Sequence, residues 1–471
     1  MAGGLGARLI CCRTASLCFL SPDTMHLFTT LRRTTAARHA SALSLMLVAH
    51  ALSSSALTAQ TPRSAPATPV EASLDRLAKQ PLVARALAAL QAENAWTLEQ
   101  QVGLCEVAAP PFKEAARARV FRDKLVALGV QQVRMDGEGN VIGEIRGARP
   151  GPTVLLSGHL DTVFPEGTDV KVKRQGTKFS GPGIGDDCRG LAVTLAVTRQ
   201  IMTNKIPFAG RLLVVGTVGE EGPGNLRGVR ALFASPLKDS IDVFFSIDGT
   251  GYGITNGGVG SNRYRARYVG PGGHSYGAFG MPNPIHALGR AIAGISDLQV
   301  PSDPIVTFNV GIISGGTSVN SIAAEGMMDI DLRSESATAL ADVDRQLQSV
   351  LRKALDAEKG RWPKSTVPLA LKIDTIGIRP AGRTPDTSLV VRTALAAART
   401  MNIYAPLTNS STDANLPMSL GIPAITIDGG GVGRNSHSLD ESYDDRTDGY
   451  KGPQWALLVV LGVLVGTSAA R

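Results

Sequence analysis

The chain has 471 residues, of which 43% are hydrophobic and 19% are charged, and its formal net charge is +8. This composition is typical of a globular protein whose core is large enough for more than one domain. A small positive excess without a basic cluster argues against nucleic acid as a partner.

The N-terminal part of the chain has the pattern of a secretory leader. Arginines precede the apolar segment 41–59, which ends in small residues suited to cleavage. We therefore predict a leader over residues 1–60, with 25–59 as the cleaved signal, and a secreted or periplasmic protein. Residues 61–73, rich in Pro, Ala and Ser, are predicted to be a linker. An uncleaved amphipathic or anchoring segment is the alternative.

Over residues 74–260 and 381–471, short β-branched segments alternate with segments of helical period. This alternation predicts an α/β catalytic domain in two parts, with a mixed, mainly parallel sheet and helices on both faces. The four clearest strands are predicted at 153–156, 211–218, 242–247 and 424–427. The apolar segment Trp455–Val465 is shorter than the about 20 residues of a membrane span, so we predict a buried final helix and no transmembrane span in the mature chain.

Potential metal ligands follow these strands and the glycine-rich turn between the first two. They are His159, Asp186, Glu221, Asp248 and His437. Ligands of such sheets gather beyond the carboxyl ends of the strands. Two histidines with three carboxylates suit zinc, cobalt or manganese better than calcium. They fit two divalent ions roughly 3.5–4 Å apart that share one carboxylate.

Two further carboxylates accompany these ligands. Asp161 follows His159 by two residues, so strand alternation places both on one side, where the carboxylate can accept the second imidazole N–H. Glu220 precedes Glu221 and is predicted to be the general base, which later returns the proton to the leaving amine. Both glutamates can serve only if the chain turns between them, which the flanking glycines permit.

Residues 261–380 have a different pattern. Their order of strand, helix, strand, strand, helix and strand predicts a smaller α/β sandwich inserted into the catalytic domain. The predicted strands include 263–268, 307–313 and 327–332, and the predicted helices are 282–298 and 337–359.

On these ordered motifs, residues 75–470 resemble the co-catalytic dizinc exopeptidases and deacylases, a family that includes peptidase T, acetylornithine deacetylase and succinyl-diaminopimelate desuccinylase. The resemblance implies that the five ligands above bind two zinc ions, with Asp186 bridging, Asp161 orienting His159 and Glu220 as the base. Aminopeptidase members tend to have Asp at the position of Asp248, where several deacylase and carboxypeptidase relatives have Glu.

The resemblance also implies that the inserted domain is a lid and can form a homodimer. His274 resembles a histidine that reaches the partner subunit's site and stabilises the oxyanion. Asn320 and Arg333 resemble residues that bind the carboxylate or carbonyl of the substrate. Taken alone, Arg333 is also compatible with a surface charge at the end of a strand.

The sequence therefore predicts a dizinc hydrolase that cleaves an amide bond at the end of a small peptide with a metal-bound hydroxide, as an aminopeptidase or dipeptidase. An N-acyl amino acid deacylase with the same site is the alternative. A serine hydrolase is a remote alternative, because the residues around Ser275 match G-x-S-x-G, but it leaves the other motifs unexplained. A non-catalytic binding protein would normally have lost a ligand or Glu220.

Overall fold

The computed structural model describes residues 68–466. The predicted leader and the first part of the predicted linker lie outside these residues. Among the helices of residues 68–466, none is long and apolar enough to cross a membrane. A helix begins at Pro69, inside the predicted linker, because Thr68 and Glu71 form a reciprocal capping box at its first turn.

The secondary structure is numbered in chain order. The strands are β1 (Gln131–Met135), β2 (Val141–Arg146), β3 (Arg149–His159), β4 (Lys173–Gln175), β5 (Lys178–Ser180), β6 (Ala209–Thr217), β7 (Val243–Ile247), β8 (Ile254–Gly258), β9 (Gly260–Val269), β10 (Gly273–His274), β11 (Val306–Gly315), β12 (Ser321–Ile322), β13 (Glu325–Ser334), β14 (Ala370–Arg379), β15 (Gly382–Arg383), β16 (Leu407–Ser410), β17 (Ala424–Ile427), β18 (Val432–Arg434) and β19 (Ser442–Asp444). The α-helices are α1 (Pro69–Ala78), α2 (Pro81–Ala92), α3 (Asn94–Cys105), α4 (Ala115–Ala127), α5 (Cys188–Asn204), α6 (Arg227–Ala234), α7 (Pro284–Ser296), α8 (Ala337–Arg361), α9 (Leu389–Thr400), α10 (Asn415–Ser419) and α11 (Lys451–Gly466).

The larger sheet has nine strands in the order β1-β2-β6-β3-β7-β17-β8-β15, with β16 paired to β8. Its four central strands, β6, β3, β7 and β17, run parallel, and antiparallel strands flank them on both sides. This is the mixed sheet that the sequence predicts. All four predicted strands are present, and each end lies within four residues of its predicted position.

Helices cover both faces of this sheet. Along β3, Val154 and Leu156 pack into the core formed with α1, α2, α5, α9 and α11. Leu155, between them, packs into a second core with α6 and α10. Because successive residues of a strand point to opposite faces, a strand buried on both sides must be apolar throughout. The predicted apolar helix lies within α11, where Trp455 is fully buried.

The segment between β8 and β15 forms a separate antiparallel sheet in the order β11-β13-β9-β14. Helices α7 and α8 pack on one face of it, and Tyr264, Ala266 and Tyr268 of β9 join their core. The alternate residues Arg263 and Arg265 lie on the open face. The order of its main elements is the one predicted, and the two-residue strands β10 and β12 are additional. Below, this sheet and its helices are called the lid, after the prediction for this segment; that role and the domain limits at 261 and 380 stay predictions.

Candidate metal centre

The topology of the larger sheet brings the ends of three strands together. His159 is the last residue of β3, Asp248 follows β7 directly, and Glu221 follows β6 through a short turn. Strands β6, β3 and β7 are parallel neighbours, and His159 lies opposite Thr217 in the register. Their carboxyl ends therefore meet at one edge, where parallel sheets bind ligands.

Three overlapping groups of side chains could hold a metal ion: His159, Glu220 and Glu221 form one of them, and the other two share Asp186. Of these two, one group is His159, Asp186 and Asp248, the other is Asp186, Glu221 and His437, and the ligand atoms in each lie within 4.8 Å of one another. Asp186 belongs to both, because its Oδ1 is 3.0 Å from Nε2 of His159 and its Oδ2 is 3.0 Å from Nε2 of His437. One carboxylate oxygen towards each histidine is the arrangement expected of a ligand between two ions. Imidazole and carboxylate donors together fit zinc, cobalt or manganese.

The electrostatics of these groups are strongly coupled. Hydrogen bonds with Asp186 and Glu221 raise the pKa of His437 to about 10. Burial, together with the negative charge of Asp186, raises the pKa of Asp248 to about 8. Although burial opposes it, hydrogen bonding with two histidines holds the pKa of Asp186 below its ordinary value. The centre therefore retains protons that a bound cation would displace.

Asp161 differs from the expectation in how it contacts His159. Nδ1 of the imidazole is 3.2 Å from the main-chain oxygen of Asp161 and 3.6 Å from its Oδ1. The carboxylate instead accepts the main-chain N–H groups of Glu220 at 3.0 Å and Glu221 at 2.8 Å. The strand ends at His159, so its alternation does not extend to Asp161. Asp161 thus contacts the ring through its carbonyl and fixes the glutamate segment through its carboxylate.

Glu220 is buried and paired with an arginine from the lid. Its Oε1 accepts a hydrogen bond from Nη1 of Arg379 at 2.9 Å, and both side chains are nearly inaccessible. Burial raises the pKa of Glu220 well above its ordinary value, and the positive charge of Arg379 opposes this. The flanking Gly219 and Gly222 have φ of 67° and 35°, so the predicted turn is present. Sequence reasoning missed Arg379; its available signal was an arginine at the end of a lid strand, just before Pro380.

Four of the five predicted ligands, Asp186, Glu221, Asp248 and His437, line a cavity of 630 Å³ whose lid side carries three arginines, Arg263, Arg333 and Arg379. Two of them share a single acid: Asp331 accepts from Nε of Arg263 at 3.1 Å and from Nε of Arg333 at 2.7 Å. Two guanidinium groups on one carboxylate leave a surplus positive charge facing the metal ligands. Arg333 therefore lines the cavity that contains the ligand groups, and its role in substrate binding stays a prediction; Arg263 is an addition that the sequence did not single out for binding.

The other predicted lid residues lie elsewhere. His274 and Asn320 are exposed neighbours, since β10 pairs with β12 and the N–H of Ser275 donates to the main-chain oxygen of Asn320 at 2.9 Å. Neither residue lines the cavity that contains His437, and neither does Ser275. Within residues 68–466, the pairing of Ser275 with His437 that a serine hydrolase would need is not assembled.

Comparisons with known proteins identify the family and the fold of this chain. The model of Peptidase family M20/M25/M40 matches residues 155–454. The uncharacterized protein YqjE of Bacillus subtilis (strain 168) is 26% identical over 347 residues, which cover 70% of this chain and 89% of that protein. The succinyl-diaminopimelate desuccinylase of Nitrosococcus oceani is 28% identical over 276 residues, covering 54% of this chain and 72% of that protein. The solved structure of aminopeptidase PepT from Bacillus cereus ATCC 10987 has the same fold, with a TM-score of 0.63 and 20% identity over 78% of this chain and 98% of that chain.

Proposed function

The chain belongs to peptidase family M20/M25/M40, hydrolases of amide bonds, and from this we propose that it is a two-zinc exopeptidase that cleaves a small peptide near one end, as an aminopeptidase or dipeptidase does. The observation that carries the proposal is the position of Asp186, which faces a histidine with each carboxylate oxygen and so joins two ligand groups.

In this proposal His159, Asp186 and Asp248 hold one ion, and Asp186, Glu221 and His437 hold the other. Zinc is favoured by the donor set, with cobalt or manganese as alternatives. When bound, two divalent ions would supply Lewis acidity towards the scissile carbonyl and would lower the pKa of a bound water to near neutrality.

Glu220 then acts as the proton carrier. Arg379 holds Oε1, which fixes the orientation of the carboxylate towards the ligand groups. The glutamate accepts a proton from the attacking water and delivers it to the nitrogen of the leaving amine, a role worth about 10²–10⁴-fold in rate. The burial that raises its pKa makes the carboxylate a stronger base than an exposed glutamate.

The arginines on the lid side favour a substrate with a free carboxylate. Arg263 and Arg333 have one acid between them, Asp331, so an incoming carboxylate would balance the remaining charge. Dipeptides and N-acyl amino acids both present such a group close to the scissile bond. An N-acyl amino acid deacylase therefore remains the second candidate, supported by the desuccinylase relative.

We further propose that the lid mediates a homodimer, which supplies His274 to the site of the other copy. Strand β11 is an edge of the lid sheet, and its Ile312 and Ile313 are 54% and 62% exposed. Exposed apolar residues on an unpaired edge strand favour pairing with another chain. His274 and Asn320 would then contribute to catalysis and binding across the interface, with His274 stabilising the oxyanion.

The predicted export from the cytoplasm stays part of this proposal. It is supported by the basic and apolar pattern of residues 25–59. N-terminal sequencing of the protein recovered from the culture medium or periplasm tests it. A product that retains residues 25–59 would contradict cleavage.

The function is tested by elemental analysis of protein purified without chelator, followed by assays on dipeptides, longer free-amine peptides and N-acyl amino acids before and after EDTA. We expect about two zinc or similar ions per chain and amide hydrolysis that EDTA abolishes. The preferred substrates separate an exopeptidase from a deacylase. Metal-free protein with EDTA-resistant hydrolysis that a serine reagent blocks would overturn the proposal in favour of Ser275.

A further inference from the structure

Glu441 is a buried carboxylate that takes no part in the proposed chemistry. It is 1% exposed. Its Oε1 accepts the main-chain N–H groups of Gly185 at 2.7 Å and Asp186 at 3.0 Å, and its Oε2 accepts that of Gly183 at 3.0 Å. Hydrogen bonds to an ionised acceptor are about twice as strong as neutral ones. Glu441 therefore holds the turn that leads into Asp186.

Main-chain contacts extend this attachment. The N–H of Gly181 donates to the main-chain oxygen of Glu441 at 3.0 Å. Beyond it, β5 pairs with β19, with Ser180 opposite Ser442. The segment 178–186 is thus joined to the segment 441–444, and the side chain of Glu441 forms the end of this attachment nearest the metal ligands.

His437 lies four residues before Glu441, in the turn that leads into this attachment. Its side chain is 54% exposed and its backbone has a φ of 66°, so neither burial nor a regular element holds it. Its Nε2 is nevertheless 3.0 Å from Oδ2 of Asp186 and 3.0 Å from Oε1 of Glu221. By contrast, His159 and Asp248 lie at the ends of central strands. The two ligand groups therefore differ in what positions them.

We propose that Glu441 is a positioning residue of the metal centre, which sets the bridging Asp186 relative to His437. The ion bound by Asp186, Glu221 and His437 then depends on Glu441 more than the ion bound by His159, Asp186 and Asp248. This inference rests on the proposed two-metal site. A residue needed only for folding would instead affect both ions and the stability of the metal-free protein together.

The test is the Glu441→Gln variant, which keeps the shape of the side chain but removes its charge and turns one acceptor into a donor facing an N–H group. Zinc affinities of both sites are measured by titration against a competing chelator, with circular dichroism and thermal unfolding of the metal-free protein. We expect the site of Asp186, Glu221 and His437, identified as the one that His437→Gln weakens, to lose about 10–100-fold in affinity, the typical effect of removing a partner of a metal ligand. We expect the other site and the metal-free unfolding temperature to change little.

Asp445→Asn is the matched control. Asp445 is also buried and lies four residues further on, but it bonds to Tyr443 at 3.0 Å and to Asn94 at 2.6 Å rather than to the turn before Asp186. This variant should bind both ions as the unmodified protein does. Unchanged affinities in Glu441→Gln, or an equal loss at both sites with a lower unfolding temperature, would overturn the inference. If the unmodified protein binds no zinc, the proposed function fails instead.

A measurement on the unmodified protein covers the case in which Glu441→Gln does not fold. Hydrogen–deuterium exchange of the metal-free protein should show slow exchange for the amides of Gly183, Gly185 and Asp186, because each donates to a buried carboxylate. Rapid exchange of all three would show that the attachment does not hold without metal, and would overturn the inference.

Discussion

The metal end and the lid end of the site are built in different ways. At the metal end, His159 and Asp248 lie at strand ends, and their side chains are only 2% and 15% exposed. At the lid end, His274 and Asn320 lie in exposed segments outside the cavity. The central sheet thus brings the predicted metal ligands together within one chain, whereas His274 and Asn320 lie outside the cavity that these ligands line.

These two ways of positioning side chains suit two different functions. Residues at the ends of parallel strands are held by the ladder and by cores on both sheet faces, which suits groups that must keep ångström-scale geometry. Residues on exposed turns can move or meet a second chain. We therefore expect substitutions at the metal end to remove activity or bound metal. Substitutions at the lid end should change substrate preference, or have an effect on activity that depends on assembly of the homodimer.

The largest effect is expected for Glu220→Gln. The variant keeps the shape of the side chain but cannot accept the proton, so turnover should fall by about 10²–10⁴-fold. Metal content should stay at the level of the unmodified protein, because Glu220 is not one of the proposed ligands. Steady-state kinetics and elemental analysis on one preparation measure both. Near-normal turnover would remove Glu220 as the base.

The shared position of Asp186 predicts a difference between two alanine variants. Asp186→Ala removes a ligand from both groups, so metal content should fall from about two ions per chain to fewer than one. Asp248→Ala removes a ligand from one group and should leave about one ion per chain. Elemental analysis after gel filtration distinguishes them. Two ions retained in Asp186→Ala would contradict the bridging assignment.

Mixing inactive variants tests whether the lid end is completed by a second copy. His274→Ala and Glu220→Gln should each be nearly inactive, and His274→Ala should keep its metal. In a randomly mixed dimer that shares sites across the interface, one site of each hybrid is intact, so an equal mixture should recover about a quarter of the normal activity. Simple addition of the two residual activities would show that His274 does not act across subunits.

The same difference explains how much of the molecule could be predicted. Strand positions and the ligands beside them follow from β-branched segments and from the rule that ligands gather at carboxyl ends. The predicted contact between the carboxylate of Asp161 and the ring of His159 is less accurate. It assumes strand alternation through Asp161, but β3 ends at His159, and the ring lies nearer to the main-chain oxygen of Asp161. The order of the lid elements followed from helical and strand periods.

The remaining features depend on long-range contacts that local patterns do not contain. Arg379 bonds to Glu220 across 159 residues, and Glu441 bonds to Asp186 across 255 residues. Neither residue lies in a motif of its own, so only the packing of the lid and of β5 against β19 shows what they contact. In the proposed homodimer, the placement of His274 relative to a site would also depend on a second chain.

The arginines of the lid should determine substrate preference. Arg263→Gln or Arg333→Gln should reduce kcat/KM for a dipeptide or N-acyl amino acid by about 10–100-fold, the loss of a charge-assisted hydrogen bond. The C-terminal amides of the same substrates should be affected much less. Arg265→Gln is the matched control, because Arg265 pairs with Asp329 at 2.7 Å on the same face of β9 and does not line the cavity. Equal losses on acids and amides would argue against carboxylate recognition.

The smallest expected effect is a pH dependence of zinc binding. The pKa of His437 is raised from 6.5 to about 10 by Asp186 and Glu221. Its protonated form therefore stabilises the metal-free fold fully below pH 6.5, and this contribution is lost as pH rises through about 10. Zinc needs the neutral imidazole, so zinc affinity should increase as pH rises within that window, with protons released on binding. Calorimetric titrations in buffers of different ionisation enthalpy measure this release. In His437→Gln the release should be smaller, and a release equal to that of the unmodified protein would show that His437 is not the group displaced.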